Sequence, residues 1–455
     1  MSPGIELKAA NLDQIQKVLT PHVAGFRTRL TCMPGPLTGA TGTPTRGLGH
    51  DFHLLAVGQG LSWLGSTFQP IALAVAILGS GRSVSMLGIL LAVLVAAQML
   101  WTLVGGVLAD RFEARLVMIT ADLTRAAAVG GMAMAFATDH TSLLLLGGLM
   151  VVMGTGSAFF GPAMRAVKPI VVAPDQRKSA NSLLSALSTG SDVVGPVLAG
   201  VLVGLIGAPF GFAVNAVSFL ASAVAVSLIR VRVVRHKTTT GRSFRSDLVV
   251  GWQTVRSNDW LVWGIFSAAV LHIATGVLVV VVQVVAFREL GGAHALGLIA
   301  AAQGVGGVVG SLLAMRLRPR RPLMVGYLTL CAMPLWISSY VWSSELLVVM
   351  SMAALGFLGM IYFNIQWETA IQDHVPHDMM ARVSSWDILT SFIGMPIGYA
   401  LAGLLTDRFG LNSILLGGAV VLLFAGMFPL VARGTRTLEA RPTVQAPTVV
   451  SQEAA

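Results

Sequence analysis

Charge is what this sequence has least of. Asp, Glu, Lys and Arg make up 11% of its 455 residues, where soluble domains carry roughly 25%. So little charge cannot clothe a globular body of this size in water, which argues against a soluble enzyme. Tyrosine is scarce as well, with 4 residues against 50 glycines and 20 methionines, and glycine is commoner in membrane-spanning helices than in soluble ones. The two cysteines, Cys32 and Cys331, stand in unrelated contexts and make neither a disulfide framework nor a metal site. No Walker-type lysine motif and no His-Glu-x-x-His is present, so neither ATP drive nor zinc hydrolysis is supported and no cofactor is expected. The run Gly304 to Gly310 holds four glycines but sits inside an apolar stretch with no strand before it. It reads as helix packing through small residues, not as a dinucleotide loop.

What remains is apolar: 55% of the chain. A spanning helix needs about 20 mostly apolar residues, so twelve would use about 240. Apolar runs fall at 54–78, 84–108, 117–137, 142–164, 182–206 and 210–229, then at 260–286, 294–315, 323–342, 347–367, 384–405 and 412–432. The nearly continuous stretch 182–232 is divided at Gly207-Ala208-Pro209. The predicted organisation is an extension at 1–50, a six-helix half at 51–229, a basic linker at 230–259, a second six-helix half at 260–432 and a tail at 433–455. The extension offers a short amphipathic helix at 6–20 and a Gly/Pro/Thr-rich stretch at 34–47, without a signal-peptide core; a translation start at Met33 is an equal alternative for it.

Lys and Arg then set the orientation. With a cytoplasmic N-terminus, 26 of the 30 fall on the inner side, Arg82, Arg288 and Arg408 fall outside, and Arg125 lies within a helix. The net charge of +10 is therefore stacked on one face, and the linker 230–259 is expected to meet anionic lipid headgroups, not nucleic acid. The expected location is the plasma (inner) membrane. The halves also repeat. Residues 105–115 correspond to 309–320, and 170–190 to 372–392, with Pro174 and Pro376 202 apart. Two parallel six-helix repeats about a central loop are a transporter architecture with its site between the halves near the midplane.

Gly105-Gly106-Val-Leu-Ala-Asp110-Arg111-Phe-Glu-Ala-Arg115 occupies the tight loop between the second and third spans. Small residues there allow close helix approach, and the acid can meet a helix N-terminus. The loop resembles the signature G-x-L-A-D-R-x-G-R-R of the major facilitator superfamily, with Glu113 and Ala114 in place of Gly and a base, and Met315 at the Asp position of the second-half copy. The resemblance implies a gating loop of Gly106, Asp110, Arg111 and Arg115, with Asp110 pairing with Arg115 or with the start of the eleventh span. Gly195, Pro196 and Gly200 in the fifth span look like a shortened form of the Gly-Pro motif of drug/proton antiporters, and proline in a helix makes a kink and a pivot. The first span, residues 58–70, together with Pro174-Asp-x-Arg-x-x-Ala-Asn-Ser-Leu and Ile371 through Ser384, resembles the branch that holds the enterobactin exporter and the macrolide efflux proteins. That branch implies an all-α integral membrane protein of twelve helices with both termini cytoplasmic.

Ionisable groups inside a membrane are costly and point to function. Asp192 is the sharpest, since it lies near the bilayer centre; proton carrier, substrate contact and structural pairing are all open to it. Asp122 and Arg125, three apart on one helical face, are expected to satisfy each other or to serve the inner gate. Asp387 could partner the Asp110 loop. All four are proton-coupling candidates. His272 reads as a packing residue more readily than as a switch. Gln59, Trp63, Gln69, Gln98, Gln283, Gln303 and Asn364 are cavity-lining candidates, because polar side chains in spanning helices should face protein or water. Phe159, Phe160, Trp336 and Phe363 serve equally as lining, packing or interface belts.

The expected function is secondary active transport: a proton-coupled exporter of a small amphipathic molecule such as a drug, antibiotic or siderophore, acting by alternating access as a monomer. An importer or an uncoupled facilitator is the rival of the same fold. A polytopic membrane enzyme or a transport-dead scaffold or sensor is the rival of another class, and its nearest support is Glu368, Asp373, His374, His377 and Asp378. The match of that loop to 166–178 favours a hinge over a metal site.

Overall fold

The computed structural model describes residues 48–109, 112–230 and 244–440, without the side chains of 103–109, 244–249, 377, 378, 381, 388 and 390–392. The described chain is helical, with no strand. Its spans are α1 His50–Gly79, α2 Val84–Ala109, α3 Ala114–Ala137, α4 Leu143–Val171, α5 Arg177–Ile206 and α6 Ala208–Ser227. The second half holds α7 Asp259–Glu289, α8 Gly292–Arg316, α9 Pro322–Trp342, α10 Leu346–His374, α11 His377–Phe409 and α12 Leu411–Val431. Among the described residues eleven helices are long and apolar enough to cross a membrane. The twelfth span, α11, is helical over 33 residues in the place of the expected run at 384–405.

Local chemistry accounts for the breaks and turns. Both α1 and α9 are interrupted one turn before a proline. The first helix of α1 ends at Ser66 and Pro70 follows, while the first helix of α9 ends at Leu330 and Pro334 follows. In each case the proline has no N–H to give the carbonyl four residues back, so the ladder opens there. The repeat is legible in the backbone. Gly207 joins α5 to α6 at φ 110° and ψ 165°, and Gly410 joins α11 to α12 at φ 78° and ψ 159°. Only glycine takes that conformation without strain, and both positions turn a long proline-containing helix into the last span of its half.

The linker between α6 and α7 joins the two sets of six helices. A helix at Phe244–Arg256 in the linker packs on the second half. Its Trp252 ring lies 5.0 Å from Trp386 of α11, and Val255 is fully buried among Trp260, Leu323 and Trp367. The halves meet through glycines. At Gly88 an added Cβ would strike the carbonyl of Tyr399, and at Gly403 it would strike Ser85, which fixes α2 on α11. A Cβ on Gly200 would lie 2.8 Å from the Ala293 carbonyl and 2.9 Å from Gly297, which fixes α5 on α8. Small residues let spanning helices approach to this distance, where dispersion acts over their whole contact.

Candidate functional site

Two cavities lie in the body of the bundle. The first, of about 420 Å³, belongs to the second half and is walled by α7, α9, α10, α11 and α12; His272, Asn364, Glu368 and Asp387 give it its polar groups. The second, of about 290 Å³, lies between the halves, with Thr67 and Pro70 of α1 and Asp192 and Pro196 of α5 facing Gln283 of α7 and Gln303 of α8. Thr275, Met333 and Met360 line both, so the two are neighbours across a thin wall with two flexible thioethers in it. A cleft between Thr189 and Asp192 of α5 and Gly304 to Leu312 of α8 leads from Asp192 toward the linker side.

Asp192 is the sixteenth residue of the thirty in α5, about 22 Å from either helix end at 1.5 Å per residue. It is exposed to these spaces, lines both the inter-half cavity and the cleft, and has no ion-pair partner among the described residues. Its main chain is fixed from across the interface, since a Cβ on Gly304 would lie 2.7 Å from the Asp192 carbonyl. The supposed pivot does packing work on both sides: Gly195 receives the Thr67 side chain at the break in α1, and Pro196 and Gly200 receive Gly297 of α8.

Asp122 and Arg125 occupy a different place. They pair with each other deep in the first half, 0% and 8% exposed. The Arg125 guanidinium is sandwiched between the rings of Phe160 at 4.1 Å and Phe219 at 4.3 Å. Gly156 leaves room for its stem, with 2.8 Å between an added Cβ and Arg125 Cγ. Gln59, 2% exposed, donates to Ser222 Oγ at 3.3 Å, and Gln69, 6% exposed, accepts from Asn215 Nδ2 at 3.1 Å. Both glutamines are thus held against α6 in the core of the first half and not in a cavity. Gln98 is half-buried where α2 receives Gly154, and Trp63 packs on the Phe52 cluster. Gln283, Gln303 and Asn364 do line the cavities, with Trp336 and Phe363 beside them. The Phe159 ring lies 6.1 Å from that of Trp101, tilted by 39°.

Of the loop between α2 and α3, Gly106 lies in the last turn of α2, while Asp110 and Arg111 lie outside the described residues. Arg115 donates from Nε to the Val226 carbonyl at 3.1 Å and from its terminal nitrogen to the Ser227 carbonyl. It caps the end of α6, a favourable place for a cation. Near the α10–α11 turn, His374 bonds the Ala370 carbonyl at 3.1 Å through Nδ1, the side chains of His377 and Asp378 are not described, and no three potential metal ligands gather among the described residues. Residues that the sequence did not single out include Thr67, Thr275, Met333 and Met360. Threonine and methionine in apolar spans look like ordinary packing, and the break in α1 at Thr67 appears only in the structure.

The family model for the Major Facilitator Superfamily matches residues 55–398. The chain belongs to that superfamily. It is 25% identical over 362 residues to the multidrug efflux pump Tap of Mycobacterium tuberculosis, across 75% of this chain and 83% of that one. It is 22% identical over 338 residues to macrolide efflux protein A of Streptococcus pyogenes, across 72% and 82%. To the putative bacilysin exporter BacE of Bacillus subtilis it is 24% identical, across 71% and 79%. In fold it is similar to a bacterial homologue of the iron transporter ferroportin in an inward-facing state, with TM-score 0.66, 17% identity and 83% and 98% of the two chains covered. It is also similar to a bacterial homologue of the lysosomal transporter Spinster, with TM-score 0.67, 16% identity and 86% and 98% covered. The protein is a multi-pass transporter of the plasma membrane with efflux pumps among its relatives.

Proposed function

We propose that this superfamily member is a proton-coupled exporter of small amphipathic molecules, working by alternating access with both termini cytoplasmic. The observation that carries the reading is the inter-half cavity with Asp192, a carboxylate without an ion-pair partner among the described residues, half-way along α5 in its wall. On the charge distribution of the loops the linker side is the cytoplasmic one, and in this reading the cleft beside Asp192 is the inward opening and the Gly200–Gly297 and Gly88–Tyr399 contacts form the outer gate. Substrate enters from within, the linker-side ends close, and the outer contacts part. The loop at Asp110 to Arg115 belongs to the inner gate, the linker 230–259 rests on anionic headgroups, and the unit acts as a monomer. Export is favoured over import by the efflux relatives and by the Gly195-Pro196 kink.

The test is accumulation of amphipathic fluorescent dyes in cells with and without the protein. Lower accumulation that disappears when the proton gradient is collapsed supports the reading. Equal accumulation across a broad panel overturns it, and a gradient that raises accumulation establishes import instead.

Alternating access has its own check at the outer contact. A Cβ on Gly204 would lie 3.5 Å from that of Ala293, within the range a disulfide needs. The pair Gly204→Cys and Ala293→Cys should therefore cross-link on oxidation and slow transport in proportion to the linked fraction, with recovery on reduction. Full transport by the linked protein would show that α5 and α8 need not part.

A further inference from the structure

α5 turns two opposite faces to two different spaces. Lys178, Ser182, Ser185, Thr189 and Asp192 follow one another at intervals of four, three, four and three, which puts them on one narrow strip of the helix. All five are exposed. Thr189 and Asp192 line the cleft of about 520 Å³ against α8 and α10. Beyond Asp192 the same strip continues as Pro196 and Gly200, which are buried against Gly297 of α8. The strip is thus polar and open from the first turn of α5 to Asp192, and closed after it. The opposite face carries Leu183, Leu187, Gly190 and Val194, which with Val57 and Leu61 of α1 line an apolar groove of about 570 Å³. Many other hydroxyls of the spanning helices are occupied inside the protein. Ser218, Ser222, Ser267 and Ser339 are 0–7% exposed, and Thr124, Thr155, Thr369 and Thr406 give their protons to the carbonyl four residues back. Ser182 does the same toward Lys178, at 3.0 Å. Ser185 and Thr189 make no such bond among the described residues, which leaves both with a donor and acceptors for water.

We propose that this strip is the route by which the coupling proton passes between Asp192 and the end at which α5 begins, with Ser185 and Thr189 as positioning residues that hold water along it. Hydroxyls left dry at membrane depth are costly, so an exposed row of them draws water into the cleft. Each hydroxyl both donates and accepts, so a chain of hydroxyls and water hands a proton on with none of its members changed. The Asp192 O–H gives its proton to the first water and one proton leaves at the far end. The apolar face toward α1 keeps that water from spreading around the helix. Lys178 at the mouth and Tyr340, which α9 turns to the inter-half cavity, are the other titratable groups on the way; the walls that α1, α7, α8 and α10 give the cavity and the cleft hold none. The route rests on the proton-coupled reading above and gives it a path on one side of the carrier.

The test uses the full-length protein, with Cys32 and Cys331 replaced by serine, in inside-out membrane vesicles. Ser182→Cys, Ser185→Cys and Thr189→Cys should react with a charged methanethiosulfonate about tenfold faster than Leu183→Cys, Leu187→Cys and Val194→Cys, because a charged reagent does not enter an apolar groove. In the second arm, Ser185→Ala and Thr189→Val should each lower gradient-driven export of ethidium and Hoechst 33342 about fivefold, the effect of one lost hydrogen bond. Downhill efflux of the same dyes, which needs no proton, should fall far less, and Thr189→Ser should restore most of the loss. Equal reaction on the two faces overturns the wet strip. Gradient-driven export by Ser185→Ala with Thr189→Val at the wild-type rate overturns the route while Asp192 stays the carrier. A wild type that drives neither dye with the gradient overturns the coupling reading, and the route with it, whatever the labelling pattern.

Discussion

Asp192→Asn leaves the protein folded and inserted but lowers gradient-driven export at least tenfold, a loss of more than about 1.4 kcal/mol in coupling. The fold should not notice the change. Asn keeps the size of Asp, the side chain is exposed to the cavities, and no ion pair among the described residues is broken. Substitutions of that kind usually stay within about 0.5 kcal/mol, so melting in detergent should match wild type. On the proposed mechanism, the one thing removed is a group that gains and loses a proton. Its position makes the loss consequential: it stands half-way along α5 and faces both the inter-half cavity and the cleft toward the linker side. Under the proposed alternating access, a carboxylate in such a place would be exposed to opposite sides in turn as α5 rocks on α8. Downhill flux of substrate, which needs no proton, should persist in the variant. Measured in vesicles with an imposed pH difference, wild-type export by Asp192→Asn would remove it as the carrier and shift attention to Asp387.

The twelve spans and the two-fold repeat were legible because both are written in composition and spacing. Lipid demands long apolar runs, and 170–190 echoes 372–392 with Pro174 and Pro376 202 apart. The depth of Asp192 was legible for the same reason, since counting along a helix measures distance. What the sequence could not show is the direction in which a polar side chain points. Gln59 and Gln69 carry the same amide as Gln283 and Gln303, yet the first two bond to Ser222 and Asn215 within one half and the last two line the space between halves. The difference lies in the rotation of each helix about its axis, which depends on partners more than a hundred residues away in the chain. Met333 and Met360 were invisible for a related reason: a methionine in an apolar run looks the same whether it fills a core or divides two cavities. Arg115 shows a third limit. The motif assigns it to the gating loop, while its guanidinium is occupied by the carbonyls at the end of α6; capping demand belongs to the neighbouring helix and leaves no mark near residue 115.

Arg125→Ala is expected to cost about 3–5 kcal/mol, the range for removing one partner from a buried ion pair. Asp122 is fully buried, so without the guanidinium its charge stands uncompensated in low dielectric. The substitution also empties the space between Phe160 and Phe219 and discards two ring contacts at 4.1 and 4.3 Å, each worth up to about 2 kcal/mol when desolvated. Early loss of monodisperse protein on heating in detergent is the readout. Arg125→Lys should recover only part, because a compact ammonium cannot stack flat between two rings. The double change Asp122→Asn with Arg125→Met should recover most of the stability, since removing both charges leaves no buried charge unpaired. That double variant also sorts the coupling candidates. The pair sits behind Ser222 and Gln59 in the core of the first half, away from both cavities, so gradient-coupled export should survive in it while failing in Asp192→Asn. A stable double variant that no longer couples export to protons would put Asp122 on the proton path and make the burial of the pair functional, not structural.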